Sequence, residues 1–511
     1  MGQAEKKTSS ISVRNLVEFI LRSGDLDNRR LSGAQKDAML AGGRIHRKIQ
    51  KRMGVGYQAE VFLRHQETEP EEGLTLLVEG RADGIFEEDG QWYIDEIKGM
   101  YADVARFSEP FPLHLAQAMC YGYFYCCDHE LEQIGIQLTY CSLETEEIKR
   151  FRSQHTRAEL CQWFQGVIGE YFKWARYQYR HRESRDQSIR GLEFPFPYRA
   201  GQRDLVVSVY RAISRKKRLF IQAPTGIGKT LSAIFPAVKA VGEEKGDKIF
   251  YLTAKTVTRT VAEEAFRILR SLGLTFTSVT ITAKEKLCFL EKPECNPDAC
   301  PYAKGHFDRV NGAVFEMLRN EQEITREKIL EYAEQHRVCP FEFCLDISNW
   351  TDGIICDYNY VFDPNVRLKR YFAEGNKGEY LFLVDEAHNL VERARQMYSA
   401  SLYKEDFIKV RGLVKPYSPR LEKRLSRCNK LLLEMKRESD GPMVRDNISL
   451  FVSALLSAFG EWKSSWRITA SWMTTRISGT CIWASAISSP CTSGWTPPTG
   501  SIRSRWEGSP F

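Results

Sequence analysis

Apolar and polar positions change between helical and strand-like spacing over the first 170 residues. Apolar residues recur with helical spacing in residues 13–21, 112–127 and 157–178, which predicts three helices. Residues 74–78 and 91–97 have the pattern of strands. This part of the chain is therefore predicted to be a mixed α/β domain.

A second pattern begins near Phe194, where strand, glycine turn, helix and strand follow one another. The predicted elements are a strand at 218–222, a turn at 223–228, a helix at 229–241 and a strand at 248–253. This order is a βαβ unit and predicts a parallel sheet. Further candidate strands are residues 277–282, 353–356 and 380–385.

Composition limits the class of protein. The chain has 511 residues, of which 43% are hydrophobic and 27% charged, and these values exclude a disordered or collagen-like chain. At about 100 to 200 residues per domain, the length predicts two to four domains. The net charge of +7 suits a polyanionic partner without requiring one. Because the N-terminus has no apolar signal core and no run of 18 apolar residues occurs, we expect a cytoplasmic protein without a membrane partner.

Residues 173–193 are predicted to be a basic linker. Its cations are interleaved with Tyr177 and Tyr179, and they are Lys173, Arg176, Arg180, Arg182, Arg185 and Arg190. One interpretation is a solvated, charged connecting helix. The alternative is a segment that follows a phosphate backbone.

Residues 464–511 differ in composition from the rest of the chain. They hold 11 serines, 7 threonines and 5 of the 10 tryptophans, but no leucine and no valine. Residues 466–473 keep neither a helical nor an alternating apolar period, so they have no face to bury. We interpret this segment as an aberrant, frameshifted tail that does not fold. A disordered tail is the alternative, although disordered segments are poor in aromatic residues.

A phosphate-binding loop is predicted at residues 223–230. Their sequence, Ala-Pro-Thr-Gly-Ile-Gly-Lys-Thr, departs from the pattern G-x-x-x-x-G-K-[ST] only at Ala223. Gly226 and Gly228 permit close approach of the backbone to phosphates that face the following helix N-terminus. Lys229 is expected to neutralise the terminal phosphates, and the Thr230 hydroxyl to complete a Mg²⁺ shell. The loop therefore predicts ATP and Mg²⁺ as ligands.

A partner motif, Asp-Glu-Ala-His, closes the candidate strand at 380–385. The apolar run before it would deliver Asp385 and Glu386 to the carboxyl edge of the sheet, where ligands bind in such folds. Asp385 is predicted to hold Mg²⁺ through its water shell. Glu386 is the predicted catalytic residue, because it would orient or deprotonate the attacking water.

These motifs together resemble those of superfamily 2 helicases. The phosphate loop, the D-E-A-H box and Gln202, in Tyr-Arg-Ala-Gly-Gln-Arg, are similar to motif I, motif II and the adenine-side Q motif. Residues 251–256 resemble motif Ia, which contacts the DNA backbone. The resemblance covers residues 195 to about 460, and the cysteines described next narrow it to the XPD/DinG-type iron–sulfur helicases. It implies ATP-driven 5′ to 3′ translocation on single-stranded or forked DNA.

Five cysteines lie between the two helicase motifs in a stretch of different composition at residues 283–352, and four of them are the candidate ligands. Cys288, Cys295, Cys300 and Cys339 are separated by six, four and 38 residues. Zinc sites usually contain close cysteine pairs, so four thiolates around one [4Fe–4S] cluster fit these spacings better. Zinc and unligated core cysteines are the alternatives. In the helicase family the cluster domain lies where the duplex is split, which implies a structural role.

Separated polar signals in residues 40–125 predict a metal-dependent site. They are His46 on a helix, Asp83 after a strand, Glu96 and Lys98 on a strand, and Gln117 and Tyr121 on a helix. Because strand side chains alternate, Glu96 and Lys98 share a face and Asp95 points away from it. His46, Asp83 and Glu96 are predicted to bind Mg²⁺ or Mn²⁺, with Lys98 positioning a hydroxide for attack on a phosphodiester.

This ordered set resembles the RecB-like branch of the PD-(D/E)XK nucleases over residues 10 to about 170. The resemblance implies a restriction-endonuclease-type fold, and it makes Gln117 and Tyr121 part of the nuclease motif. A degenerate nuclease fold that only binds DNA is the alternative.

The predicted architecture is α/β with two domains and a fragment. Its segments are a RecB-like nuclease domain at 1–172, a linker at 173–193, a P-loop RecA-like parallel-sheet domain at 194–400 with the iron–sulfur insertion at 283–352, a partial helical arch at 401–463 and a tail at 464–511. The expected function is an ATP-dependent helicase fused to a nuclease that processes or repairs DNA. Since no second RecA-like domain is recognisable, we expect this chain not to unwind DNA. The alternatives are a single-stranded-DNA nuclease with an inert ATPase remnant and a non-enzymatic DNA-binding module.

Overall fold

The computed structural model describes residues 7–30, 35–54, 56–224, 226–254, 256–373, 375–376, 378–438, 441, 443–445, 447–473 and 502–503. The chain divides into two compact units. The larger comprises residues 1–357 and 377–386, and the smaller comprises residues 358–376 and 387–511.

A mixed sheet forms the first part of the larger unit. Its strands are β1 (Thr8–Ser12), β2 (Gln58–Thr68), β3 (Thr75–Glu88), β4 (Gln91–Met100), β5 (Gln133–Ser142) and β6 (Ile148–Thr156). The strand order is β1-β3-β4-β5-β6, and β2 pairs with β3 outside this path. The pairs β1–β3 and β4–β5 are parallel, and the other pairs are antiparallel.

Helices cover both faces of this sheet. They are α1 (Val13–Ile20), α2 (Gln35–Arg52), α3 (Pro112–His129) and α4 (Arg157–Arg190), with short 3₁₀ turns at Asn28–Arg30 and Val104–Arg106. Leu16 of α1, Phe124 of α3 and Phe164 of α4 are fully buried in one core with the sheet. Ile45 and Ile49 of α2 pack in a separate cluster with Ile97 of β4. Since strand side chains alternate, the two clusters lie on opposite faces.

The helix predicted at 157–178 is confirmed but is much longer than expected. Helix α4 begins at a capping box, in which Thr156 and Glu159 satisfy each other's backbone N–H groups, and it continues for 34 residues. Trp174, Arg185 and Ile189 are buried along its second half. Most of the predicted linker is therefore a packed helix and not a solvated connection.

Two of the cations of this helix, Arg176 and Arg180, are held in ion pairs. Arg176 forms ion pairs with Glu69 and Glu71, and Arg180 forms one with Glu72. These carboxylates follow β2 in the loop before β3. Because they neutralise the guanidinium groups, this part of α4 serves to attach the helix to its own domain.

A parallel sheet forms the second part of the larger unit. Its strands are β7 (Lys248–Leu252), β8 (Ser278–Thr280), β9 (Glu323–Ile324), β10 (Gly353–Cys356) and β11 (Tyr380–Val384), in the order β11-β7-β10-β8-β9. Helices α5 (Gln202–Ser214), α6 (Lys229–Gly242) and α7 (Thr256–Ser271) flank the strands. Ile234 and Phe266 pack with Ile249 in the core. The predicted parallel sheet is confirmed.

The strand predicted at 218–222 is wrong. These residues adopt no strand structure, and Leu219, Phe220 and Ile221 are exposed, Phe220 to 89%. A strand requires a hydrogen-bonded neighbour, and within the described residues none pairs with this segment. The apolar run has the spacing of a strand, but a sequence pattern does not show whether another strand lies beside it.

The cysteine-containing stretch is inserted between β8 and β10. It forms α8 (Lys284–Leu287), α9 (His306–Asn320), α10 (Arg326–Gln335) and α11 (Pro340–Ser348), with β9 between α9 and α10. His306, Val310 and Phe343 are among its fully buried side chains. The insertion therefore has a helical core of its own.

The smaller unit is mainly helical. Its elements are α12 (Asn359–Phe362), α13 (Lys369–Phe372), α14 (Asn389–Met397), α15 (Lys404–Val414), α16 (Pro419–Arg437), α17 (Ser449–Met473) and the antiparallel pair β12 (Val444–Arg445) and β13 (Ile502–Arg503). Phe407, Leu425 and Phe451 of α15, α16 and α17 form its core. The helical pattern predicted after Lys404 is confirmed.

The boundary predicted at Lys463 falls inside a helix, because the backbone of α17 continues to Met473. The rest of the predicted tail, apart from Ile502–Arg503, lies outside the described residues. No helix within the described ranges combines the length and the apolar composition needed to cross a membrane.

A buried ionic network attaches α4 to the parallel sheet. Asp352, directly before β10, accepts hydrogen bonds from Arg185 Nη1 (2.9 Å) and the Thr277 backbone N–H (2.8 Å), and it lies 2.7 Å from His181 Nε2. Burial alone would raise the pKa of Asp352, but the hydrogen bond from His181 and the charges of His181 and Arg185 lower it to about 2.

We expect Asp352→Ala to lower the free energy of unfolding by about 3–5 kcal/mol, because Arg185 would remain buried without its main counter-charge. Urea unfolding followed by tryptophan fluorescence measures the change. In the wild type this stabilisation is present above pH 3.8 and is lost as the pH falls through about 2, since the folded-state pKa is depressed.

The control is Glu170→Ala, which removes the exposed pair with Lys173 on the same helix. An exposed pair contributes about 1 kcal/mol or less, so this variant should unfold like the wild type. Equal destabilisation by the two substitutions would contradict the structural role of Asp352.

Candidate functional site

The phosphate-binding loop has the backbone conformation that its glycines predict. Gly226 and Gly228 have φ values of 87° and 80°, in the left-handed region that favours glycine. Helix α6 begins at Lys229, directly after Gly228. The first N–H groups of α6 therefore face the loop, as an anion site requires.

The side-chain amide of Gln202 hydrogen-bonds to this loop. Its Nε2 donates to the Ile227 carbonyl (2.9 Å), and its Oε1 accepts from the Arg199 N–H (3.0 Å). The Arg199 guanidinium in turn donates to the Gly226 carbonyl. A Cβ atom at Gly228 would come within 2.9 Å of Gln202 Nε2, so only glycine leaves room for this contact. Contact of Gln202 with adenine stays a prediction.

The two helicase-like motifs meet at the carboxyl edge of the parallel sheet. Lys229 Nζ lies 3.2 Å from the Ala223 carbonyl and 3.9 Å from Glu386 Oε1. Asp385 lies directly after β11, and its backbone N–H donates to Leu252 of β7 (2.9 Å). The fold therefore brings the predicted phosphate-binding lysine and the predicted catalytic carboxylate together.

The electrostatics of Asp385 depend on burial and on its neighbours. Burial raises the pKa of Asp385, and the charge of Glu386 adds to this, whereas a Tyr251 hydrogen bond and the Lys229 charge act against it. The Tyr251 hydroxyl also lies 3.5 Å from Thr230 Oγ1. Tyr251 thus links the Mg²⁺-ligand candidates. Our sequence reasoning missed it, although it begins the motif Ia segment.

The N-terminal polar residues also converge, at the carboxyl end of β4. His46 Nδ1 of α2 lies 3.3 Å from Asp83 Oδ1 of β3, and Lys98 Nζ lies 2.7 Å from Glu96 Oε1. Asp83 Oδ2 accepts the Ile97 backbone N–H (2.7 Å), which fixes this carboxylate beside β4.

Glu96 is an unusual carboxylate. Its side chain is almost fully buried, and its Oε2 has no hydrogen-bond partner. Burial and the charge of Asp83 raise its pKa to about 7, against the opposing effects of Lys98 and His46. A buried carboxylate oxygen without a partner is costly unless a cation or proton occupies it.

The predicted alternation along β4 is confirmed. Asp95 accepts hydrogen bonds from Thr139 Oγ1 (2.6 Å) and the Tyr57 hydroxyl (3.0 Å) and belongs to the opposite face. Its partners satisfy both carboxylate oxygens. Asp95 is therefore a structural residue and Glu96 is the candidate ligand.

The second half of the predicted nuclease motif lies on α3. Gln117 and Tyr121 are buried one turn apart, and a Cβ atom at Gly80 would lie 2.5 Å from the Tyr121 hydroxyl. Burial, followed by the charge of Glu96, raises the pKa of Tyr121, which indicates that the phenol is near the carboxylates. His114, which our sequence reasoning missed, is close enough to Lys98 that burial and this charge lower its pKa to about 4.

The donor set fits a hard divalent cation. Asp83 and Glu96 supply the carboxylate oxygens that Mg²⁺ and Mn²⁺ prefer, whereas the ring nitrogen of His46 is the donor that suits these ions least. Within the described ranges, no three His, Cys, Asp or Glu side chains are arranged as ligands around one point. The ion pairs with His46 and Lys98 hold the carboxylates instead, and a metal would have to displace them.

The four predicted cluster ligands line one cavity in the insertion. Cys295, Cys300 and Cys339 are buried, and Cys288 is half-buried. The cavity wall also contains Leu26, Lys284, Phe289 and Phe341. The four cysteines share the wall of one cavity, although within the described residues no three of them meet the geometry of a single-ion site.

Polar groups support the cysteine cavity. Burial lowers the pKa of Lys284, but Cys295 beside it raises this pKa overall, and His306 Nδ1 accepts the Cys339 backbone N–H (3.2 Å). Burial raises the pKa of the Cys339 thiol to about 11, which disfavours an isolated thiolate there. Cys344 and Cys356 are buried elsewhere, Cys344 with its Sγ 3.8 Å from the Thr280 carbonyl.

Comparison with known proteins identifies the middle of the chain as helicase-like. Residues 203–293 match the DEAD/DEAH box helicase family, and residues 275–407 match the DEAD_2 family. Residues 203–407 are therefore similar to superfamily 2 DEAD/DEAH helicases, and the relatives are of the XPD type.

Two curated relatives illustrate the similarity. The regulator of telomere elongation helicase 1 homolog of Caenorhabditis elegans is 26% identical over 257 residues, covering 41% of this chain and 25% of the relative. The ATP-dependent DNA helicase XPD of Sulfolobus acidocaldarius is 24% identical over 184 residues, covering 36% and 31%. The chain thus spans about a quarter to a third of the length of these relatives.

A solved structure described as truncated XPD aligns with 52% of this chain and 76% of its own, at 19% identity and a TM-score of 0.36. The residues of this chain that match the two helicase families include both the predicted phosphate loop and the D-E-A-H box.

Proposed function

We propose that the chain is the ATP-binding part of an XPD-type DNA helicase with 5′ to 3′ polarity. The observation that carries this proposal is the approach of Lys229 Nζ to Glu386 Oε1 (3.9 Å) at the edge of a parallel sheet. The similarity of residues 203–407 to DEAD/DEAH helicases supports it. The relatives are named as DNA helicases, so we propose single-stranded or forked DNA as the partner.

The proposed roles follow from the chemistry of each group. Lys229 would leave the Ala223 carbonyl and Glu386 to bind the terminal phosphates, and the α6 N-terminus would face the same anion. Thr230 and Asp385 would hold Mg²⁺, directly and through water. Glu386 would then be released from Lys229 to orient the attacking water.

We expect Lys229→Ala to weaken Mg²⁺-dependent binding of a fluorescent ATP analogue about 10- to 100-fold, because a charged hydrogen bond to phosphate contributes about 1.5–3 kcal/mol. Titration monitored by fluorescence anisotropy measures the dissociation constant. Hydrolysis stimulated by single-stranded DNA should be lost in the same variant.

The matched control is Lys430→Ala, since Lys430 is exposed on α16 in the smaller unit. Its affinity for the analogue should equal that of the wild type. An unchanged dissociation constant in Lys229→Ala would exclude the proposed loop as the nucleotide site.

We further propose that Cys288, Cys295, Cys300 and Cys339 bind a [4Fe–4S] cluster. The convergence of the four cysteines on one cavity, with Lys284 beside Cys295, supports this. When bound, the cluster would crosslink the segment between α8 and α9, which holds three of the cysteines, to the segment before α11, and so stiffen the insertion. The protein's own contribution is the apolar wall that limits access of water to the sulfur atoms.

The anaerobically purified chain should contain about four irons and four sulfides and absorb broadly in the visible, as [4Fe–4S] proteins do. Cys339→Ser should lose this absorption and most of the iron. Cys344→Ser serves as the control, because it alters a buried cysteine five residues away that lies outside the cavity. Stoichiometric zinc in place of iron, or equal iron in Cys339→Ser, would contradict the assignment.

A second activity is proposed for the N-terminal domain, namely metal-dependent cleavage of DNA. The partnerless, buried Oε2 of Glu96, beside Asp83 and His46, is the observation that favours it. A bound Mg²⁺ or Mn²⁺ would lower the pKa of a water molecule. Lys98, released from Glu96, would then position the resulting hydroxide toward the phosphodiester. Gln117 and Tyr121 would complete the site from α3.

We expect Mn²⁺ to raise the melting temperature of the wild type and to support cleavage of single-stranded DNA. Glu96→Gln should lose both effects, because an amide supplies one neutral donor oxygen in place of a charged ligand. Gel assays of labelled oligonucleotides and thermal melts measure the two readouts.

Glu109→Gln, at an exposed position, is the matched control and should behave like the wild type. Mn²⁺ stabilisation without cleavage would instead favour the DNA-binding alternative, in which the nuclease fold is degenerate. Cleavage that persists in Glu96→Gln would mean that another site is responsible.

A further inference from the structure

A short segment of the N-terminal domain lies against the cysteine insertion. It comprises residues 22–29, which follow α1 and extend into the first 3₁₀ turn, and we call it the strap. Three backbone hydrogen bonds join it to the insertion. They are Leu26 N to Ala303 O (2.8 Å), Asn28 N to Cys295 O (2.9 Å) and Phe307 N to Gly24 O (3.0 Å).

Side chains add contacts along the whole strap. They are Arg22 Nη1 with Asp346 Oδ2 (2.8 Å), Gly24 N with Asp308 Oδ1 (2.8 Å), Gly305 N with Asp25 Oδ1 (2.6 Å) and Arg29 Nη1 with Asp298 Oδ2 (2.6 Å). Donors and acceptors come from both sides. The strap is therefore docked specifically and does not merely pass over the insertion.

The start of the strap is anchored by aromatic packing. Phe19, at the end of α1, has its ring centroid 4.9 Å from that of Trp174 on α4 and 5.5 Å from that of Trp350 after α11. Its carbonyl accepts a hydrogen bond from Asn311 Nδ2 (2.8 Å). Phe19, three residues before the strap, is thus held by both the N-terminal domain and the insertion.

Leu26 occupies a decisive position within the strap. It is a wall residue of the cavity that contains all four candidate ligand cysteines. The backbone N–H of Asn28, two residues further on, donates to the carbonyl of Cys295. The backbone N–H of Leu26 itself donates to the carbonyl of Ala303, three residues after Cys300. The strap therefore supplies an apolar side chain to the cavity and holds the backbone of the segment between α8 and α9 at two points, Cys295 and Ala303.

We propose that the strap is one wall of the cluster pocket, so that the N-terminal domain shields the cluster and the cluster in turn secures the strap. This inference rests on the proposed [4Fe–4S] site. Stabilisation must be reciprocal, because two groups that favour the same docked arrangement each strengthen the other. The stability of the docked strap therefore depends on whether the insertion carries its cluster.

Hydrogen exchange on the wild-type full chain tests the reciprocal effect without any substitution. The Leu26 and Asn28 amides should exchange at least several-fold more slowly in the cluster-loaded protein than in the same protein after chelator treatment. Amides of β4, which lies in the N-terminal sheet, serve as the internal reference and should change less.

Shielding is tested by the rate at which the visible absorption is lost in air or in excess chelator. Leu26→Asp should accept iron and sulfide under anaerobic reconstitution but bleach several-fold faster than the wild type, because a carboxylate opens the wall to water. Leu272→Asp, at an exposed leucine after α7, is the matched control and should bleach at the wild-type rate. If Leu26→Asp does not fold, Leu26→Ala gives the same comparison with a smaller change.

The outcomes separate this inference from the proposed cluster. If the wild type binds the cluster, but strap amides exchange equally in both states and both Leu26 variants bleach at the wild-type rate, the strap proposal is overturned and the cluster stands. If the wild type binds no iron under anaerobic reconstitution, both proposals fall together. Slower exchange of the strap amides in the cluster-loaded wild type, together with faster bleaching of Leu26→Asp, supports the strap proposal.

Discussion

Helix α4 is the constraint on which the larger unit depends, because one uninterrupted helix belongs to two hydrophobic cores. Leu160 and Phe164 are buried with the N-terminal mixed sheet, and Ile189 is buried with the parallel sheet. At 1.5 Å per residue the 34 residues span about 51 Å. The network of Asp352 with Arg185 and His181 attaches the far end. Turning either sheet about this connection would break the helix or expose the buried charges of this network.

The three candidate sites use burial in different ways. At the proposed phosphate loop, Lys229 remains partly exposed, so exchanging its carbonyl and carboxylate contacts for a phosphate would cost little desolvation. At the N-terminal site, Glu96 is buried with one oxygen unpaired, and a bound cation would relieve this penalty. In the insertion, burial raises the pKa of the Cys339 thiol and so opposes thiolate formation. If the proposed assignments hold, bound metal would stabilise the second and third sites.

Local patterns were sufficient wherever the chemistry depends on neighbours in sequence. Glycines with positive φ values and the lysine that begins α6 follow directly from the loop sequence. Alternation along β4 correctly separated Glu96 from Asp95. Gln202 was recognised by its motif, but its hydrogen bonds to the loop required coordinates, because Ile227 lies 25 residues away. Tyr251 and His114 were missed for the same reason, since an isolated tyrosine or histidine carries no pattern.

The sequence alone determined the parallel sheet, most helices, the glycine loop before α6, the D-E-A-H box and the order of the polar residues in the N-terminal domain, because periodicity and motif spacing are local properties. Tertiary structure decided the rest. Residues 218–222 have a strand pattern but no partner strand, and residues 173–190 have a linker's composition but continue a packed helix. The docking of Leu26 beside cysteines more than 260 residues later was also beyond sequence reasoning. Each of these outcomes depends on which distant surface a segment meets, and burial and hydrogen bonding with that surface decide between conformations that local preferences leave close in energy.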